Sequence, residues 1–266
     1  MTRTVRAVAQ PMVRITSVLA ICMAASAAVL GAQDASSPHD AQPERPTVAT
    51  HAGTVAPGWF EIEWGVERDR LAPGVNSLAT PTLLKFGVVS HVQFDVSFTT
   101  VRPSSTQALG IGDAGVGVKW RLLDDAPLVG DFAVQPSIKF PTGSVMRGTG
   151  TGTTDGTLLL ISSHVLGPVA LDINAGYTRR SASGKAANAA LWTISTGTTL
   201  SGPFAFDAEV YGYPGFGGAP SVGFLAGPTY TVHPWFVADI GFIANVTGGQ
   251  PPALYAGLTW NVGKLP

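Results

Sequence analysis

Ten acidic and four basic residues recur at alternate positions within stretches that are otherwise apolar. Residues two apart in a β-strand point to the same side, so each stretch predicts a strand with one charged face and one apolar face. Such a charged row can line a polar pathway, or its members can pair with one another and fill the space between them. Both alternatives stay open from the sequence. The fourteen residues are Glu61, Glu63, Glu67, Lys85, Asp95, Asp113, Lys119, Arg121, Asp131, Lys139, Asp172, Asp207, Glu209 and Asp239.

Three other patterns could carry catalysis or bind a metal. Ser162, Ser163 and His164 supply a nucleophile and a base, but a hydrolytic triad also needs an orienting carboxylate that spacing alone cannot provide. Glu61 and Glu63 share a face about 7 Å apart, as in glycosidases, with no second feature to support that activity. The five histidines show no metal-ligand spacing, so we predict no metal site, no cofactor and no enzyme.

The clearest of these strands lie between Gly110 and Gly143. Asp113–Leu122 and Asp131–Phe140 both alternate with period two and are separated by a turn at Asp124–Pro127. The stretch begins with the sequence G-x-G-x-x-G. A dinucleotide site would need a helix after this motif, whereas here a strand pattern follows, so the sequence does not favour nucleotide binding.

The same alternation recurs along the chain and predicts about twelve strands of about ten residues each. Ten residues tilted by about 45° cover roughly 23 Å, close to the apolar band of an outer-membrane barrel. Connections alternate between short and long, as expected of an up-and-down barrel with short turns at one end. The facing of the stretch 157–165 is unclear because residues 158–161 are all apolar. The predicted fold class is all-β, a transmembrane antiparallel up-and-down β-barrel.

Composition agrees with this class. Only 12% of the 266 residues are charged while 45% are hydrophobic, and beyond residue 33 no apolar run is long enough for a membrane helix. The net charge of −1 gives no basic patch for nucleic acid. Residues 1–32 have a basic start, an apolar stretch and small residues at the end, which predicts a cleaved signal peptide containing the single cysteine, Cys22.

The mature chain divides into two predicted parts. Residues 33–56 are polar and aperiodic and predict either a flexible N-terminal extension or a plug lying in the barrel mouth. Residues 57–266 form the predicted barrel.

Three segments carry a resemblance to a known family. They are GDAGVGVKWRLLDD with PLVGDFAVQPSIKFPTGS, the Gly-rich loop ending at Thr154-Asp155-Gly156, and LGPVALDINAGYT. Over roughly residues 57–262 the chain resembles Gram-negative outer-membrane barrels named for a MetA pathway of phenol degradation. The resemblance implies movement of aromatic or other hydrophobic small molecules across the outer membrane. The C-terminus departs from many barrel proteins, which end on an aromatic residue, because Gly263–Pro266 follows the pattern Tyr255-x-Gly257-x-x-Trp260-x-Val262.

From these observations we expect an outer-membrane channel or transporter for small, hydrophobic or aromatic solutes. The alternatives are a closed structural barrel and, less favoured, an outer-membrane lipid hydrolase. Expected partners are outer-membrane lipid, the barrel-assembly machinery and a small solute, but no nucleic acid.

Overall fold

The computed structural model describes residues 37–182, 187–215, 219–249 and 251–266. The predicted signal peptide, with Cys22, lies outside the described residues, as do residues 33–36 of the predicted N-terminal extension. No helix among the described residues is long and apolar enough to cross a membrane.

Within the described residues, twelve long strands form a closed antiparallel barrel and a thirteenth, two-residue strand extends one hairpin. Each long strand pairs with its neighbours in sequence, and the last pairs with the first through Ile62 and Trp260. The strands are β1 Trp59–Ala72, β2 Val75–Asn76, β3 Leu78–Val89, β4 Val92–Arg102, β5 Gly110–Ala126, β6 Gly130–Phe140, β7 Asp155–Leu166, β8 Val169–Arg180, β9 Asn188–Ser201, β10 Phe204–Tyr213, β11 Ser221–His233, β12 Phe236–Thr247 and β13 Ala253–Lys264.

The predicted fold class is confirmed, and the differences lie at strand ends. β1 continues to Ala72 and pairs there with β2, a strand too short to show periodicity. β5 begins at Gly110, so the G-x-G-x-x-G sequence is itself part of a strand. A dinucleotide site, which needs a helix after that motif, is therefore absent from this position.

The two ends of the barrel differ in their connections. One end, here the turn end, carries five connections of two or three residues, at 90–91, 127–129, 167–168, 202–203 and 234–235. The other, the loop end, carries longer connections, of which residues 141–154 are an example. The chain enters β1 and leaves β13 at the turn end.

The barrel is apolar outside and charged inside. On β4, Phe94 and Phe98 are 36% and 39% exposed on the exterior, whereas Asp95 between them is buried in the interior. A soluble sheet would place its apolar row in a core, so this arrangement suits a lipid surround.

The structure assigns the faces of β7. Ile161 and Ser163 point inward and are buried, while Leu158 and Leu160 are exposed on the exterior. The alternation therefore persists through the continuous apolar run that concealed it in the sequence.

Candidate functional site

The barrel interior contains part of the chain itself, residues 37–57, which we call the strap. It enters at the turn end, where the His39 ring lies 4.9 Å from the Trp59 ring and the Ala41 amide donates to the Pro234 carbonyl at 2.8 Å. It rises to the level of Glu209 on β10 and returns to the turn end, where the Gly58 amide donates to the Gly87 carbonyl. Both ends of the strap thus lie at the same end of the barrel.

Three inward carboxylates hold the strap by its backbone. The Gln42 amide donates to Glu61 at 2.8 Å, and the Glu44 amide donates to Glu63 at 2.7 Å. Four strands further round the barrel, on β10, Glu209 accepts from the Val48 and Ala49 amides at 2.6 and 2.9 Å. A buried carboxylate that accepts backbone N–H groups satisfies both its own charge and the donors of an irregular segment.

Neutral inward side chains complete this attachment. Asn174 accepts from the Thr50 amide at 2.8 Å and donates to the Thr50 carbonyl at 2.9 Å. The Ser163 hydroxyl accepts from the Ala52 amide at 2.8 Å, and the Gln93 side chain accepts from the Val55 amide at 2.9 Å. These contacts replace the backbone ladder that an irregular segment lacks.

Two fully buried lysines neutralise the acids around the strap. Lys85 Nζ lies 2.6 Å from Glu61 and 2.7 Å from Glu63, and donates to the Gln42 carbonyl. Lys119 Nζ pairs with Glu44 and donates to the Thr50 hydroxyl at 3.0 Å. Buried charges of both signs are tolerated here because each is paired and hydrogen-bonded.

The ionisation of the strap follows from this arrangement. Burial alone would raise the pKa of Glu44, but the Lys119 and Lys85 ammonium groups outweigh burial and hold that pKa well below its usual range. Burial, reinforced by Lys119, lowers the pKa of His51 to about 3. At neutral pH the strap therefore carries an ionised Glu44 and a neutral His51.

Inward glycines give the strap the room it occupies. A Cβ added at Gly65 would lie 2.5 Å from Arg45 Cζ, and one added at the paired Gly257 would lie 2.4 Å from Arg45 Nε. The Arg45 guanidinium thus lies against a glycine pair and reaches Asp239 at 3.3 Å. Gly87 similarly admits the Ala56 carbonyl. The absence of side chains at these positions permits the close approach.

Small apolar contacts fix two further points of the strap. Ala52 packs with Ala133 and Ile161. Val48 packs against a second buried cluster, which contains Tyr211, Leu225 and Tyr255. The strap is therefore held by backbone hydrogen bonds, ion pairs and packing together.

At the loop end, a second charged group holds residues 141–154 against the mouth. Lys139 Nζ lies 3.0 Å from Asp113 and 3.2 Å from Asp155, and Arg180 also reaches Asp155. Asp113 accepts from the Thr151 and Gly143 amides at 2.9 and 3.1 Å. This loop covers part of the mouth above β5 and β6.

The remaining predicted lumen residues have separate surroundings. Arg121 pairs with Asp131 at 3.6 Å near the turn end. Asp95 accepts from the side chains of Gln93 and Gln135, both at 2.8 Å. Asp172 accepts from the Ser163 hydroxyl at 2.5 Å. Asp207 makes no hydrogen bond or ion pair with any residue that the structure describes.

Space remains in the lumen beside the strap. A cavity of about 480 Å³ lies at the turn end between the strap and strands β7–β12, and Asp207 and Asp172 line it. Its wall mixes hydroxyl groups with apolar side chains, namely Ser195, Thr198, Thr199, Thr229, Thr231, Val165, Val169 and Val237. A smaller cavity of about 240 Å³ lies inside β4–β6, next to Ser97, Gly115 and Gly117.

The candidate hydrolytic residues are divided between the two faces of β7. The Ser162 hydroxyl and His164 Nε2 lie 3.0 Å apart on the exterior, whereas Ser163 and Asp172 face the interior. Neither pair acquires the third member of a triad. Among the described residues there is also no cluster of three or more His, Cys, Asp or Glu side chains suited to a metal ion.

The sequence did not identify the neutral strap partners as such, and it singled out Ser163 only as a candidate nucleophile. Gln93, Asn174 and Ser163 are uncharged and carry no motif, yet each holds a strap amide. Their one sequence signal is position, since each lies on an inward row beside charged residues. The strap itself has no periodic pattern because backbone groups make most of its attachments.

The fold and lumen define a barrel of the type found in outer membranes. Residues 45–259 match the family described as "Putative MetA-pathway of phenol degradation", and the chain belongs to that family. No curated protein matches the chain.

Solved barrels resemble the fold at low sequence identity. The COG4313 outer membrane channel from Pseudomonas putida F1 has a TM-score of 0.56 and 12% identity, covering 78% of this chain and 96% of that one. A KdgM porin in complex with disordered oligogalacturonate has a TM-score of 0.53 and 9% identity, covering 75% and 98%. A NanC porin has a TM-score of 0.51 and 11% identity, covering 76% and 100%.

Proposed function

We propose that this protein is an outer-membrane channel that admits small solutes past its strap. The observation that carries the proposal is the 480 Å³ cavity left open beside the strap inside a closed barrel with an apolar exterior. In this proposal the turn end faces the periplasm and the loop end faces outward, following the usual arrangement of bacterial barrels. An N-terminal signal peptide at residues 1–32 would direct export.

The proposed solutes are small hydrophobic or aromatic molecules that carry a polar group. The valines of the cavity wall suit an apolar ring, while its threonine and serine hydroxyls can bond a polar substituent. The family description, which refers to phenol degradation, supports the same class. The KdgM porin binds an acidic sugar chain, whereas here Asp172 and Asp207 line the cavity and would repel one.

A closed structural barrel is the second candidate, and a specific observation favours it. The strap, Lys85, Lys119 and their carboxylates fill the middle of the lumen with paired charges. In that case the cavity would be a blind vestibule. A catalytic role is not proposed, because Ser162 and Ser163 lie on opposite faces of β7.

Conductance in planar bilayers separates these candidates. The wild type should give small, stable single-channel steps, and Glu209→Ala should increase them because it removes the acceptor of two strap amides. Asp131→Ala is the matched control, an inward acid that pairs with Arg121 and does not touch the strap. It should leave the step size unchanged.

Two results would contradict the proposal that solutes pass beside the strap. Silence of both wild type and Glu209→Ala, in barrels that retain their heat-shifted gel mobility, would leave the closed barrel standing. An equal increase in both variants would show that the strap does not limit conductance. Swelling of vesicles in phenol, compared with a sugar of similar size, would then test the solute class.

A further inference from the structure

The exterior of the barrel is basic at one end. Outside the lumen, five described arginines lie at the loop end: Arg68, Arg70, Arg102, Arg147 and Arg179. At the turn end the described part of the chain offers Lys264, together with the exposed acids Asp124 and Asp125. The asymmetry lies across the barrel axis, so the two ends would meet different surroundings in a bilayer.

Three of these arginines form one patch across adjacent strands. Arg68 shares its outward parity with Trp64 and pairs with the exposed Leu254 of β13. Arg102 of β4 pairs with Leu78 of β3, on the same outer row as the Phe86–Phe94 pair. Because Glu67 pairs with Ala79, Arg68 lies beside Leu78 on its other side, so Arg68 and Arg102 flank that leucine. Two strand spacings put them about 10 Å apart.

Arg70 extends the patch toward the loop end. It lies two residues beyond Arg68, with the same parity, and pairs with Asn76 of β2. We define the rim patch as Arg68, Arg70 and Arg102. None of the three makes an ion pair with a residue that the structure describes, and Arg102 Nε is buried without a hydrogen-bond partner. The guanidinium groups therefore lack the anions that arginine usually finds in a folded protein.

The position of the rim patch indicates what supplies those anions. Directly below it, toward the middle of the barrel, the exterior is apolar, with Trp64 42% exposed and Phe98 39% exposed. A cationic row just above an apolar surface lies where acyl chains end and headgroups begin. Phosphate is the headgroup chemistry that arginine binds best, because the planar guanidinium matches two phosphate oxygens.

We propose that the rim patch binds the phosphate groups of a phosphorylated glycolipid in the outward-facing leaflet. The proposal rests on the orientation in the proposed function, in which the loop end faces outward. It assigns a lipid site on the exterior wall of β1, β3 and β4, separate from the solute pathway. Long arginine side chains on backbones about 10 Å apart can engage two phosphates of one headgroup or of neighbouring lipids.

Native mass spectrometry of the whole barrel in detergent tests this site, with bisphosphorylated lipid A as the probe. The wild type should retain bound lipid A, and the triple variant Arg68→Gln, Arg70→Gln, Arg102→Gln should bind at least about tenfold less. The charge-matched control is Arg147→Gln, Arg179→Gln, Arg180→Gln. It removes three arginines from the same end but leaves the rim patch intact, and should bind as the wild type does.

The chemistry is tested by two further probes. Lipid A stripped of its phosphates should not bind, and inorganic phosphate should not displace the intact lipid, because the site also uses the apolar surface below it. Equal loss in both triple variants, equal binding of dephosphorylated lipid A, or displacement by phosphate alone would overturn the proposal. If the triple variant fails the heat-shift test for folding, Arg102→Gln alone should still weaken binding several-fold.

Conductance and lipid A binding, measured on the same variants, keep this proposal distinct from the proposed function. A barrel that binds lipid A through the rim patch but does not conduct would contradict the proposed channel and support the lipid site. A conducting barrel with unchanged lipid binding in the triple variant would do the reverse.

Discussion

At the residue scale, the inward charges divide into those that hold the strap and those that remain available to solutes. Glu61, Glu63 and Glu209 accept strap amides, and Lys85 and Lys119 balance nearby acids. Lys85 pairs with both Glu61 and Glu63, whereas Asp207 lines the turn-end cavity, so the acid that acts on passing ions should be Asp207.

Asp207→Asn should reduce the cation preference of the channel. Asp207 lines the turn-end cavity without a partner among the described residues, so its charge acts on the pathway rather than on a neighbour. The reversal potential across a salt gradient measures the preference. Asp131→Asn, which removes an acid already paired with Arg121, should change it less. An anion-selective wild type, or equal shifts in both variants, would contradict this assignment.

Lys85→Met should destabilise the barrel strongly. The variant leaves Glu61 and Glu63 buried side by side without their counterion, a change that costs about 3–5 kcal/mol in comparable buried pairs. Urea unfolding followed by the loss of heat-shifted gel mobility measures the free energy. Lys139→Met is the control. Lys139 is partly exposed beside Asp113 and Asp155, so that variant should lose about 1 kcal/mol or less. Equal losses of unfolding free energy in the two variants would indicate that Lys85 and its carboxylate partners are exposed to solvent rather than buried.

At the element scale, each strand has an exterior that the sequence predicts and an interior that it predicts in part. Alternation assigned Phe94, Val96 and Phe98 to one face of β4 and Asp95 and Ser97 to the other. It could not distinguish Asp95 from Ser97. In the structure both residues line the smaller cavity, but Asp95 is buried and accepts from Gln93 and Gln135, whereas Ser97 is exposed.

Cysteine labelling on β4 tests that difference. The single native cysteine is Cys22, so each variant of the mature chain would carry one thiol. A membrane-impermeant reagent should label Ser97→Cys readily and Asp95→Cys slowly, because neighbouring side chains cover Asp95. Phe98→Cys should react with a lipid-soluble reagent and resist the impermeant one. Fast impermeant labelling at position 98 would reverse the assigned faces.

At the scale of the whole molecule, closure depends on the pairing of β13 with β1. The sequence predicted a barrel, and with it this closure, from about twelve alternating strands, since a closed barrel leaves no strand edge. It left open whether residues 33–56 form a flexible extension or a plug, and it could not predict the attachments of the strap, because backbone amides make most of them and any residue other than proline carries one. The side chains of Gln42 and Val55 do not indicate which residue accepts from the backbone amide. The contacts inside the lumen therefore do not follow from the sequence pattern.

Trp260→Asp should impair closure and insertion. Trp260 lies on the exterior of β13 between Ile62 and Phe236, so a carboxylate there would face lipid and lose apolar packing on both sides. The variant should accumulate as a protease-sensitive species without heat-shifted mobility. Trp260→Phe keeps an apolar ring and should assemble normally. Normal assembly of both variants would show that neither barrel closure nor recognition by the assembly machinery depends on Trp260.

The strap begins and ends at the turn end, so it is a loop inserted into the lumen from one end and does not cross the lumen from end to end. A segment that crossed the lumen from end to end could leave a closed barrel only if a free terminus were drawn through the whole length of the barrel. A loop inserted from one end can instead be withdrawn into the space below the barrel while its two ends stay at the turn end. The strap can therefore enter or leave the lumen without the separation of any pair of strands.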